Sequence, residues 1–235
     1  MKKAIKNKDK QLRVIKKAYN KTVDNYKKGI KDIDVLPEIF INSLEFRNFQ
    51  KKNYNCNSGQ SDIKRFLAPK KGMKFLDIGS CANLINYKLY NWPSTYVGVD
   101  ISEKLIKAMK AFVSKNNIKI GGLYVADVSE MPFDDNVFDI AACIGVLEYF
   151  DFGYITRALR GLYRVLKSTG KLVLDMPNLA HPDTETMIKL ESYLGRVRGD
   201  IPKRDQFEKV LKKLFLIKNI KDDSLMIKYC LECGR

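Results

Sequence analysis

From residue 74 to residue 175 the chain alternates short apolar runs with helical patterns, and nothing else in the sequence restricts its fold as much. Lys74-Phe-Leu-Asp-Ile78, Thr95-Tyr-Val-Gly-Val99, Leu123-Tyr-Val-Ala126, Phe138-Asp-Ile-Ala-Ala-Cys143 and Lys171-Leu-Val-Leu-Asp175 read as strands. Helices are expected near 83–90, 103–115 and 153–166. Ser102 suits an N-cap, and Leu105, Ile106, Met109, Phe112 and Val113 supply a buried stripe. Ser168-Thr-Gly170 reads as the turn before the fifth strand. Such βα alternation implies a parallel sheet with helices on both faces. The end of the chain differs. A helix near 204–213 precedes two apolar runs, 215–220 and 225–231, joined by four residues. That connector is far too short for a parallel crossover, so it implies an antiparallel hairpin. The expected fold is α/β: a doubly wound, mostly parallel seven-stranded sheet with an antiparallel C-terminal hairpin.

The first 70 residues follow another rule. Leu12, Ile15, Tyr19, Val23, Tyr26 and Ile30 recur every three or four positions, predicting an amphipathic helix over 11–30. A second helix is expected over 36–50 with Pro37 in its first turn, then a polar loop and a short helix over 62–67. Residues 1–70 therefore read as a helical cap or extension, and residues 71–235 as the sheet domain.

In an open parallel sheet, ligands bind beyond the carboxyl ends of the strands, where the strand order reverses. Those ends carry Asp77 and Gly79, then Asp100, then Asp127, then Gly145. One aspartate at a strand end is commonplace, whereas four such positions on successive strands form a pattern. Asp100 follows Gly79 by about 20 residues, the separation expected of a carboxylate that binds ribose hydroxyls. The first loop, Gly79-Ser-Cys-Ala-Asn83, lacks G-x-G-x-x-G. That argues against a pyrophosphate-bearing dinucleotide, which needs several close backbone amides. A nucleoside without phosphates has no such need.

Charge and cysteine content narrow the remaining classes. The net charge is +16, and residues 1–31 hold twelve Lys/Arg against two Asp. A second basic cluster runs from Lys203 to Lys221. A basic helix can grip nucleic acid or simply face solvent. Five cysteines at 56, 81, 143, 230 and 233 are too sparse for a disulfide scaffold and suit a reducing cytoplasm. Cys230 and Cys233 have the spacing of half a zinc site, but the sequence holds one histidine, His181, and no second such pair. No metal is expected. No apolar run approaches the roughly 20 residues of a membrane span.

Phe75-Leu-Asp-Ile-Gly79, Val97-Gly-Val-Asp-Ile-Ser102, the stretch from Ala126 to Asp139 and the stretch from Leu162 to Leu174 together resemble the successive motifs of class I S-adenosylmethionine-dependent methyltransferases. The closest subgroup is the ubiquinone/menaquinone-biosynthesis-like type. The resemblance implies a Rossmann-like methyltransferase fold, S-adenosylmethionine as cofactor and S-adenosylhomocysteine as product. It implies that Asp77, Gly79, Ser80 and Cys81 line the methionine moiety and that Asp100 holds the ribose, with Ile101 against the adenine. Asp127 and Val128 would meet the adenine edge, and Ile144 and Gly145 would lie under the sulfonium. Tyr19 and Tyr26 resemble paired tyrosines that cap the methyl end, Tyr19 toward the cofactor and Tyr26 toward the reaction.

Two departures stand out. Side chains replace two glycines of the usual loop, which could also mark a non-catalytic sensor of the cofactor. After the fourth strand, where relatives often carry histidines, the chain reads Val146-Leu-Glu-Tyr-Phe150. Glu148 or Tyr149 could orient or deprotonate a nucleophile, or Glu148 could simply start a helix. The acceptor is read as a small molecule or a protein or peptide group. The basic N-terminal helix keeps RNA as the alternative, although aromatic-interleaved basic stretches that would stack unpaired bases are missing.

Overall fold

A computed structural model describes residues 2–52, 54, 60–80 and 83–234. Its sheet has seven strands, β1 (Lys74–Ile78), β2 (Thr95–Asp100), β3 (Gly122–Val125), β4 (Phe138–Cys143), β5 (Leu166–Pro177), β6 (Phe215–Lys221) and β7 (Met226–Cys233), in the order β3-β2-β1-β4-β5-β7-β6. The first five pair in parallel, and β7 runs antiparallel to both β5 and β6. This is the expected mixed sheet with its terminal hairpin.

Nine α-helical segments accompany it among the described residues: α1 (Lys2–Lys27), α2 (Glu38–Ile41), α3 (Leu44–Lys51), α4 (Gln60–Leu67), α5 (Asn83–Asn86), α6 (Glu103–Lys115), α7 (Phe152–Val165), α8 (Thr184–Tyr193) and α9 (Arg204–Leu214). Strand alternation sorts the core into two layers. Leu76 and Ile78 of β1, Cys143 of β4 and Leu172 and Leu174 of β5 pack with Leu159 and Leu162 of α7, Leu211 of α9 and Ile15 of α1. Phe75, Ile140 and Val173 point the other way, against Leu67, Ile106 and Met109. Cys230 and Cys233 fall into different layers, as residues three apart on a strand must. Ser102 caps α6 by accepting from Leu105 N at 3.2 Å, and Asp151 caps α7 by accepting from Tyr154 N at 2.7 Å.

The structure corrects four local expectations. The helix expected over 36–50 is two pieces, because Ser43 starts a new one by accepting from Phe46 N. The helix expected over 83–90 stops at Asn86, and Lys88 takes a left-handed conformation before a 3-10 turn. Ser168 to Gly170 lie inside a longer β5, where the pairing with β4 shifts register between Phe138 and Ile140. Helix α8 was not foreseen; its weak apolar periodicity gives little signal in the sequence.

The chain runs from β1 outward to β2 and β3, then returns to place β4 on the other flank of β1. The loops leaving β1 and β4 must therefore diverge over a shared crevice. Both turn through a glycine in the left-handed region, Gly79 at φ +64° and Gly145 at φ +68°. A Cβ on Gly79 would lie 2.4 Å from Val146 Cγ2, closer than real side chains approach.

Beneath the crevice, Asp77 is only 2% exposed and accepts from the Tyr96 hydroxyl at 2.7 Å. Burial pushes its carboxyl up to about 7, against the pull of hydrogen bonds from Tyr96 and Asn83.

Two outcomes follow from these local constraints. Gly79→Ala should cost about 2–4 kcal/mol in denaturant unfolding, part clash and part left-handed strain. Adding Val146→Ala should recover the clash but not the strain; full recovery or none would contradict this reading. Because Asp77 titrates higher in the folded chain than its ordinary 3.8, its contribution is fully present below that value. It is lost as pH rises through about 7. Thermal melts across that window should show a falling stability whose slope is shallower in Asp77→Asn; equal slopes would contradict the assignment.

Candidate functional site

The crevice opens into a cavity of about 440 Å³. Its floor comes from strand ends: Ile78 and Gly79 after β1, Val99, Asp100 and Ile101 at β2, Ala126 and Val128 after β3, and Ile144, Gly145 and Val146 after β4. Its other walls are Ile15 and Tyr19 of α1, Glu148, Tyr149 and Asp175, Met187 and Glu191 of α8, and Arg196 and Arg198 beyond it. No single element could make such a site. The parallel strands supply the floor, and segments distant in sequence supply the roof.

Asp100 is 6% exposed, and its Oδ1 accepts from the backbone N–H of Ser102 at 2.8 Å. That bond fixes the carboxylate at the cavity wall. Ser102 Oγ in turn donates to Asn20 Oδ1 at 2.6 Å, so α1 is fastened to the loop that carries Asp100. Lys16–Glu103 and Lys104–Asp24 ion pairs, at 2.7 and 2.5 Å, fasten it further. Being exposed, each contributes little to stability; together they set register.

Asp127 caps the 3-10 turn Val128–Glu130. Its Oδ1 accepts from Ser129 N at 2.8 Å and from the Tyr154 hydroxyl at 2.6 Å. It stands behind the cavity wall, while its neighbours Ala126 and Val128 line it.

The far end of the cavity is rich in buried ionisable groups. Gly145 N donates to Asp175 Oδ1 at 2.8 Å. Burial raises the Asp175 carboxyl above its ordinary range even so. Glu148 is 3% exposed, and its carboxyl is raised first by burial and then by the nearby Asp175 charge. The Tyr149 hydroxyl sits 3.1 Å from Glu191 Oε2, to which it donates, and 3.2 Å from the Tyr19 hydroxyl. Burial, before any charge, holds the Tyr149 phenol well above its usual value, so it remains a proton donor. Arg196 pairs with Asp32 at 3.0 Å and Glu191 at 3.4 Å and lies over the Tyr19 ring.

Of the residues singled out from the sequence, Gly79, Asp100, Ile101, Val128, Ile144, Gly145, Tyr19, Glu148 and Tyr149 meet at this cavity. Asp77 and Ser80 lie beneath it: Ser80 is fully buried with its hydroxyl 4.0 Å from Met109 Sδ. Cys81 lies outside the described residues. Tyr26 is not at the cavity. It is 59% exposed farther along α1, so the expected pairing with Tyr19 is replaced by Tyr19 with Tyr149. The spacing of seven residues keeps Tyr19 and Tyr26 on one helix face, but α1 extends past the cavity edge before reaching Tyr26. Asp175, Glu191, Arg196 and Arg198 were missed. Applying the strand-end rule to β5 finds Asp175; the other three carry no pattern that sequence spacing could reveal.

Comparison with known proteins agrees with this geometry. Residues 76–174 match the methyltransferase domain family. An uncharacterized protein of Methanocaldococcus jannaschii is 34% identical over 116 residues, covering 49% of this chain and 45% of that protein. The ubiquinone biosynthesis O-methyltransferase of Pelagibacter ubique is 32% identical over 81 residues, covering 34% of this chain and 33% of that one. The chain thus matches under half the length of these curated relatives. A solved SAM-dependent methyltransferase from Aquifex aeolicus superposes with a TM-score of 0.56 at 16% identity, covering 78% of this chain and 96% of that one. That likeness is one of fold. The family match over residues 76–174 falls on the central strands of the sheet and on the loops that bound the crevice at its reversal.

Proposed function

We propose that the chain transfers a methyl group from S-adenosylmethionine to a small-molecule acceptor held beneath α1 and α8. One observation carries this reading: Gly79, Asp100, Val128 and Gly145, each at or just after the end of a different parallel strand, line a single cavity. The residues fit the nucleoside. Asp100 offers a carboxylate that accepts from both ribose hydroxyls. Ile101 and Val128 offer apolar faces to a flat base, while Asp127 braces the adjoining turn. The glycine turn at Gly79, where any Cβ would strike Val146, leaves backbone as the lining for the methionine portion. Ile144 and Gly145 floor the reacting end.

Bound there, S-adenosylmethionine supplies a methyl carbon on a sulfonium that is its own leaving group. The protein's task is then to orient the acceptor and exclude water. Tyr19 and Tyr149 close the cavity over that end. Glu148, buried and with Oε2 lacking a hydrogen-bond partner among the described residues, is placed to take a proton from an incoming O–H or N–H group. In this reading residues 1–70 are a cap rather than an independent binding module. Their α1 contributes Ile15 to the core and Asn20 to the Asp100 loop. The free thiols of Cys143, Cys230 and Cys233 suit a cytoplasmic enzyme.

Calorimetry tests the cofactor assignment. Asp100→Ala should weaken S-adenosylmethionine binding at least about tenfold, through loss of a charge-assisted hydrogen-bond partner worth about 1.5–3 kcal/mol. Unchanged affinity would overturn it. With methyl-labelled cofactor and fractionated cell extract, label should enter small molecules; label in RNA or protein would overturn the acceptor class.

A further inference from the structure

Buried polar side-chain atoms nearly always find partners, so the exceptions point to something that is bound. Among the described residues the unpartnered atoms are Ser94 Oγ, Ser129 Oγ, Glu148 Oε2, Arg196 Nε, and Nε and Nη1 of Arg198. All but the two serines belong to residues that line the cavity. They belong to the segments that wall and roof the cavity, whereas Asp100 belongs to the strand ends that floor it.

The two arginines differ in their commitments. Arg196 is held by Asp32, Glu191 and the Tyr19 ring. Arg198 makes neither an ion pair nor a hydrogen bond among the described residues; its guanidinium carbon stands 5.8 Å from the centre of the Tyr149 ring, and its charge reaches the Glu148 and Asp175 carboxyls. A guanidinium with buried, unsatisfied N–H groups in a cavity is built to meet an oxyanion, since its donors are fixed in a plane and it cannot shed its charge. The nearby carboxyls do not already serve that purpose. Glu191 is taken by Arg196 and Tyr149, and Asp175 by the Gly145 amide. The Arg198 charge pulls against the burial that raises Glu148, but the two form no ion pair among the described residues.

We propose that the acceptor is a small molecule carrying an oxyanion, which Arg198 grips, and an O–H or N–H group, which faces Glu148 at the methyl-transfer end. This inference rests on the methyltransferase reading for the identity of the second group, but not for the first. The oxyanion fixes the acceptor's orientation; Glu148 accepts the hydrogen bond of the nucleophile. Arg198 is thus a specificity-determining residue rather than a source of protons. The volume supports a small partner, because a cavity of about 440 Å³ that also takes a nucleoside has little room for more than a ring or a short chain.

The test is direct binding, with S-adenosylhomocysteine present and absent. The probes are 4-hydroxybenzoate, 4-hydroxyphenyl phosphate and the neutral 4-hydroxybenzamide, compared by calorimetry on the full chain. The wild-type protein should bind at least one charged member about tenfold tighter than the amide, and which one does so identifies the oxyanion. Arg198→Gln should bring acid and amide within about twofold, and Arg198→Lys should retain part of the preference. Affinity for S-adenosylhomocysteine should stay unchanged in both variants, which also shows that they fold. Equal binding of charged and neutral probes, no binding of either charged probe at millimolar concentration, or a preference that survives Arg198→Gln would each overturn the proposal. Failure of S-adenosylhomocysteine to bind, with the charge preference intact, would instead count against the methyltransferase reading alone.

Discussion

The close approach between the loops that leave β1 and β4 is the constraint from which the rest of the site follows. Parallel strands that diverge at a reversal of sheet order leave a crevice, but the crevice is useful only if backbone can enter it. Gly79 and Gly145 make that possible by turning in a region of conformational space that other residues enter at a cost. Val146 presses against Gly79, and the Gly145 amide is tied to Asp175. The two loops are therefore held on both sides: one by van der Waals contact, the other by a hydrogen bond to a buried carboxylate.

That buried carboxylate belongs to a wider pattern. Asp77, Glu148 and Asp175 all sit where water is excluded, and burial raises all three above their ordinary range. Burying a carboxyl costs free energy that burying an apolar side chain does not. The carboxylates lie beneath and around one cavity, which ties their cost to binding and chemistry. The roof adds a second electrostatic layer. Arg196 joins the segment after α8 to Asp32 and Tyr19, so segments far apart in sequence close over the same space.

The sequence made the sheet readable because parallel strands are buried on both faces and appear as continuous apolar runs. The central parallel strands were visible for that reason, and the antiparallel hairpin followed from two further apolar runs and the length of their connector. The strand-end residues were equally legible: Gly79, Asp100 and Gly145 were found from position alone and do meet, whereas Asp127, found the same way, stands behind the wall that its neighbour Val128 lines. The roof was not legible. Helix α8 turns Met187 and Glu191 to the cavity, packs Leu190 against Phe40 and Phe46 and buries Thr184 and Thr186, so its buried positions mix polar and apolar residues and its periodicity is faint. Arg196 and Arg198 lie in an irregular segment whose path depends on tertiary contacts. Tyr26 shows the opposite error, since helical spacing places a residue on a face but does not say where along the helix the partner ends.

The central claim is that one nucleoside-containing ligand occupies the crevice between the β1 and β4 loops beneath α1. Hydrogen exchange followed by mass spectrometry, with and without S-adenosylhomocysteine, tests it most directly. Protection should appear in peptides containing Gly79, Asp100, Val128 and Gly145, and in the part of α1 around Tyr19 that is fastened to the Asp100 loop. Protection absent from these segments, or confined to the basic regions away from them, would contradict the account.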